Sequence, residues 1–152
     1  MTFFDYPGTE EEVAAAPAEV FLPEASEADW ALLLRYSRRL HFAAGEVVID
    51  PGGAERSLYL IVDGHLQVLA SEGGRRGPAI AIGPGSVLGE ISFFDNAGRS
   101  ALVRATSEVE VAELGLTEFD ALAKVNPDLA RQILFDLGRI LAQRLRTAQG
   151  PR

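Results

Sequence analysis

At 152 residues the chain has the length of one domain, and with 47% hydrophobic residues it can bury a core, which excludes a wholly disordered chain. It holds no cysteine, which excludes a disulfide framework and a thiolate metal site. Its net charge of −8 sits at one end: residues 1–30 carry eight acids and no Lys or Arg, and the other 14 acids match the 14 basic residues.

An acidic lead segment on a neutral body suits a phosphate backbone poorly, so no direct DNA binding is expected. No apolar run approaches the ~20 residues of a membrane span. The N-terminus lacks the positive charge of a signal peptide. Together these features point to a cytoplasmic protein.

Residues 1–25 read as an acidic extension rich in Pro, Ala and Glu, with Phe3, Phe4, Tyr6, Phe21 and Leu22 as candidate anchors to a body spanning 26–148. Ser26 is placed to cap a helix, and Asp29 stands near its positive end. Trp30, Leu33, Leu34 and Tyr36 supply the apolar side of this helix, which is expected to end near Arg39. The period then changes to short strand-like runs at 40–42, 46–49, 57–62, 65–70, 79–82, 86–88, 101–105 and 109–114. Asp63-Gly64, between two alternating runs, is the strongest hairpin signal. Pro78 and Pro84 belong at strand ends or edges, where no ladder donor is missed. Many short strands between glycine turns suggest a sandwich, roll or barrel.

After Gly115 the pattern turns helical again. Thr117 is placed to cap a short helix running to about Val125, and Asn126-Pro127 opens a longer one over 127–148, with Pro in its favoured first-turn position. That helix is apolar on two sides, and such a helix usually buries both. One side is expected against the strand body, and the other against a second copy, giving a homodimer through Ile133, Leu137 and Ile140.

Little in the sequence supports catalysis. The only histidines are His41 and His65, too few for a cupin-like metal site, and His65 is expected exposed just past the turn. There is no G-x-S-x-G elbow and no Walker run. The chemistry concentrates in GEISFFDNAGRS at 89–100. Backbone N–H groups around Glu90 to Ser92 can meet an anion. Arg99 can fork two phosphate oxygens, and the Ser100 hydroxyl can add a donor. Phosphate would repel Glu90, but a ligand hydroxyl beside the phosphate would suit it. A cyclic nucleotide carries that pair of groups. The same residues also permit an internal Glu90–Arg99 ion pair with no ligand.

Gly89-Glu90-Ile91-Ser92 followed by Arg99-Ser100-Ala101 and VRA at 103–105 resembles the phosphate-binding cassette of cyclic-nucleotide-binding domains. SLYLIVDGHLQVL at 57–69, GPGSVLGE at 83–90, EVEVAEL at 108–114 and VNPDLARQIL at 125–134 resemble the sensor half of the catabolite activator protein. The resemblance covers roughly residues 26–148. It implies a mainly β fold, a double-stranded β-helix (jelly roll) with flanking α-helices and a long C-terminal helix. It further implies a cAMP or cGMP ligand, no cofactor and no catalysis. It assigns Arg99 and Ser100 to the cyclic phosphate, Glu90 to the ribose 2′-hydroxyl, and Gly89 to close backbone approach. Val68, Ala79 and Ile80 fall where the family lines its base pocket, and the long helix lids the base.

Two departures stand out. Gly98 occupies a position where many members have Pro, and the adenine-reading Thr-Ser pair of the catabolite activator is replaced by Arg144 and Leu145. Arg144 is suited to stacking on a purine or reading guanine O6 and N7, and equally to a solvated basic helix end. No helix-turn-helix follows before Arg152, so a stand-alone sensor is expected. Its output would be an unidentified protein effector, reached through the long helix or the acidic segment. The alternative is a degenerate domain serving as a dimerisation or scaffold module.

Overall fold

A computed structural model describes residues 20–50, 56–72, 75–95 and 101–149. The first helix, α1 (Glu27–Arg35), opens on a complete capping box. The Ser26 hydroxyl accepts from Asp29 N at 3.1 Å, and the Asp29 carboxylate accepts from Ser26 N at 3.4 Å. The helix stops four residues short of the expected Arg39, because Arg38 and Arg39 enter a strand. There they pair with carboxylates across the ladder, Arg38 with Glu113 at 2.7 Å and Arg39 with Glu110.

Among the described residues eight strands follow, one for each predicted run: β1 (Arg38–Phe42), β2 (Val47–Ile49), β3 (Ser57–Asp63), β4 (Leu66–Glu72), β5 (Arg75–Ile82), β6 (Val87–Leu88), β7 (Ala101–Ala105) and β8 (Val109–Gly115). They form two four-stranded antiparallel sheets, ordered β1-β8-β3-β6 and β2-β7-β4-β5. Pro78 lies inside β5 rather than at its end. Because β5 is an edge strand, and its register against β4 slips in that stretch, the missing N–H costs no regular ladder bond.

Asp63-Gly64 is not a hairpin turn. β3 belongs to one sheet and β4 to the other, so this corner carries the chain between sheets. Gly64 has φ +91°, and a Cβ there would lie 2.1 Å from Glu108 O. The return crossover at 106–108 therefore packs directly on this corner, and Thr106 N donates to His65 O at 2.9 Å to pin it. His65 itself is exposed. The dipeptide encodes a tight left-handed bend, and the sheets decide what that bend connects.

From Leu58 to Ile61 β3 is buried on both faces, and this stretch of its sequence is continuously apolar. Leu58 and Leu60 face the helices, together with Ala112 and Leu114 of β8. Tyr59 and Ile61 face the interior of the roll, with Leu66, Ile82, Leu88, Val103 and Val111.

After the short helix α2 (Glu90–Asp95), described below, two helices close the chain: α3 (Leu116–Val125) and α4 (Pro127–Gln149). The cap of α3 is Gly115, with no side-chain bond, and Thr117 sits exposed one turn position inside the helix. Asn126 supplies the cap of α4 by accepting from Leu129 N at 3.0 Å. The inward stripe of α4 is Leu129, Ala130, Ile133, Leu137 and Ile140, packed on Leu58, Leu60 and Leu114. Ile133, Leu137 and Ile140 are each 0% exposed. The expected dimer seam through these three is thus corrected: they belong to the core of a single chain and have no surface to offer. The apolar side chains that α4 leaves outside are Leu134, Phe135 and Leu145, at 41%, 73% and 61% exposed.

Candidate functional site

The site grows from the end of β6. Two residues of β6 pair with β3 (Tyr59 opposite Leu88, Leu60 opposite Val87) and then stop. Gly89 follows at φ +86°, a left-handed conformation that turns the chain out of the strand and straight into α2. Gly89 O accepts from Phe93 N at 3.0 Å, closing the first turn. Phe93 plugs α2 into the core, edge-on to Phe119 at 5.7 Å. Its neighbour Phe94 remains 42% exposed, so of these two aromatic residues Phe93 is the one that anchors the helix. The backbone of Ile91 and Ser92 lies in α2; their side chains, like all of Arg99 and Ser100, lie outside the described residues.

Two arginines grip α2 at its ends. At the C-terminal end Arg56 donates to Phe93 O through Nε (3.2 Å) and Nη2 (2.7 Å), and to Phe94 O at 3.2 Å. A cation on the unpaired carbonyls of a helix end is favourable both as hydrogen bond and as charge. Sequence reasoning missed Arg56, since nothing near it in the chain marks a partner 37 residues away.

At the N-terminal end Glu90 is buried, and its Oε2 accepts from Arg144 Nη1 at 2.6 Å. Arg144 Nη2 donates to Val87 O at 2.9 Å. The side chains of this pair are 22% and 7% exposed. Arg144 is therefore not a solvated helix end, as one reading of the sequence had it, but a tie from α4 into the cassette. An ionised carboxylate this deep needs a paired, hydrogen-bonded cation, and Arg144 provides one.

Of the residues expected to line the base pocket, Val68 and Ile80 stand directly opposite each other across β4 and β5, and both pack on the inner cluster. Ala101, paired with Ala70, falls on the same inner face two residues before Val103. Leu88, next to Gly89, belongs to that cluster too, which sets the start of the cassette beside it. Ala79 pairs with Leu69 and, by strand alternation, turns to the opposite face from Ile80. The structure thus groups Val68, Ile80 and Ala101 and separates Ala79 from them.

Residues 20–22 strap α4 to the strand body. Leu22 N donates to the Asp136 carboxylate at 2.7 Å, Arg139 Nη2 donates to Val20 O at 2.8 Å, and Phe21 N donates to Gly85 O at 2.8 Å. Asp136 and Arg139 also pair with each other at 2.7 Å, which holds the guanidinium above its ordinary pKa. Beside this strap an apolar cavity of about 130 Å³ is lined by Phe21, Trp30, Leu34, Leu60, Ile61, Val62, Gly85 and Ser86, none of them a cassette residue. Among the described residues no group of three or more His, Cys, Asp or Glu could hold a metal ion, and no helix is long and apolar enough to cross a membrane.

The comparisons with known proteins agree with this geometry. The family model "Cyclic nucleotide-binding domain" matches residues 39–126. The chain is 30% identical over 118 residues to the Cyclic AMP receptor protein of Thermus thermophilus, covering 77% of this chain and 53% of that protein. It is 32% identical over 127 residues to Glutaminase 2 of Bradyrhizobium diazoefficiens, covering 84% of this chain but 20% of that protein. The chain thus spans about half of the receptor and a fifth of the glutaminase. The crystal structure of the Thermus thermophilus catabolite activator protein superposes with a TM-score of 0.74 at 27% identity, over 84% of this chain and 59% of that one. A roll of two antiparallel sheets, a glycine-led cassette helix and a long closing helix make the chain a member of the cyclic nucleotide-binding domain family, of the catabolite-activator type.

Proposed function

We propose that this domain is a receptor for a cyclic nucleotide, cAMP in preference to cGMP, and that it signals through the position of α4 and contact with another protein rather than through catalysis. The observation that carries this reading is Glu90, a buried carboxylate at the head of the cassette helix that is tied by Arg144 to the helix that would have to move. In this reading Arg99 and Ser100 hold the cyclic phosphate, Glu90 accepts the ribose 2′-hydroxyl, and Val68, Ile80 and Ala101 face the base. A ligand moves α4 only by as much as it binds one helix position better than the other. The bond between α4 and the cassette is where such a difference would arise. The partner, whether an effector or a second copy, would meet the outer side of α4 at Leu134, Phe135 and Leu145.

A second reading, a scaffold domain that binds no nucleotide, is favoured by the same ion pair: Arg144 already satisfies Glu90 from within the chain. Calorimetric titration with cAMP and cGMP, repeated on Arg99→Ala, separates the two. The receptor reading expects saturable binding by the wild type and a loss of about 2–5 kcal/mol in the variant, the scale for truncating one partner of a desolvated charge pair. No binding of either nucleotide refutes it in favour of the scaffold.

A further inference from the structure

We infer that Arg144 is a positioning residue for sugar recognition: by holding the Glu90 carboxylate aimed, it sets how strictly the domain demands a 2′-hydroxyl. The inference rests on the receptor reading above and deepens it.

The guanidinium is fixed at two points. Nη1 binds Glu90 Oε2 at 2.6 Å and Nη2 binds Val87 O at 2.9 Å. Val87 in turn lies in β6, where it stands opposite Leu60 of β3, a central strand of its sheet. Through Arg144 the carboxylate is therefore braced against a strand rather than against a loop. A fork with two anchors fixes direction as well as charge, which a single ammonium does not.

This bracing has a chemical consequence. An ionised carboxylate only accepts hydrogen bonds and has about four lone-pair sites on its two oxygens. One is used by Arg144, and the rest can only take a donor such as a hydroxyl. Without the fork the carboxylate loses the contact that fixes its direction. A carboxylate no longer aimed makes a poorer bond to a 2′-hydroxyl, so it discriminates less against a sugar that lacks one. The bond that aims Glu90 is also the bond that seats α4, 54 residues away in sequence. Sugar reading and helix seating therefore share one contact, and by reciprocity each biases the other.

The test is calorimetric titration of the full chain with cAMP and with 2′-deoxy-cAMP, for wild type, Arg144→Ala, Arg144→Lys and Glu90→Gln. The readout is the ratio of the two affinities, which a merely structural role would leave unchanged because both nucleotides would weaken together. The expected result is a ratio that falls roughly ten-fold or more in Arg144→Ala, the scale of a hydrogen bond to a charged group, with Arg144→Lys in between. In a Glu90→Gln background, Arg144→Ala should no longer change the ratio. A wild type that discriminates while Arg144→Ala discriminates equally well overturns the inference and leaves the receptor reading standing. Equal affinity of the wild type for both nucleotides overturns it too. Binding of neither overturns both readings. If Arg144→Ala does not fold, as judged by circular dichroism, Arg144→Lys against wild type decides on the same ratio.

Discussion

The stripe on α4 that reads from sequence as an interface is core, and truncating Leu137 tests this directly. Its side chain is fully buried, within the cluster that contains Leu58, Leu60, Leu114 and Ile133. Replacing a fully buried Leu with Ala removes the transfer energy of the lost carbons and leaves a cavity that rigid neighbours fill only partly, together about 3 kcal/mol. With a urea slope of about 2 kcal/mol/M, Leu137→Ala should lower the unfolding midpoint by about 1.5 M. The control is Phe135→Ala, two residues earlier but 73% exposed, where the change should stay within about 0.5 kcal/mol. Sedimentation of the same two variants separates stability from assembly. If α4 meets a partner copy, Phe135→Ala should reduce the assembled mass without moving the urea midpoint. A Leu137→Ala protein that loses less than about 1 kcal/mol but dissociates would refute the assignment of this stripe to the core.

Two further substitutions probe the parts that hold the cassette and the sheets. Gly64→Ala places a Cβ 2.1 Å from Glu108 O at a left-handed position, so both the strain and the clash act on the crossover between sheets. It should cost several kcal/mol and sharply lower the melting temperature, whereas an unchanged melt would mean the corner is free to move. Arg56→Ala removes three hydrogen bonds to the carbonyls ending α2 and should weaken cyclic-nucleotide binding by about 1–3 kcal/mol. Calorimetry at matched melting temperature checks it, and equal affinity would show that the cassette helix is held well enough by Phe93.

Some of this protein was decided locally and was legible as such. The Ser26 cap, the Pro127 start of α4, the eight strand runs and the Gly89 bend depend on groups within a few residues of one another, so period and turn chemistry reveal them. The turn from Gly89 into the helix at Glu90 is local for the same reason, as the two residues are adjacent in the chain.

What the sequence could not reveal is partnership. Asp63-Gly64 encodes a bend but not which sheet receives the next strand, because that depends on how β4 and β7 pair across the roll. The two apolar sides of α4 look alike in composition, and only docking on β3 and β8 decided that Ile133, Leu137 and Ile140 go inward while Phe135 stays out. Alternation along β5 separates Ala79 from Ile80, a distinction that appears once the register against β4 is set. Glu90 is the sharpest case. The sequence offered Arg99 as a candidate partner because it is near in the chain, and Arg99 lies outside the described residues; a buried carboxylate pairs with whatever cation the fold brings within reach. Among the described residues that cation is Arg144, carried to the cassette by a helix whose seat is determined by the core beneath it.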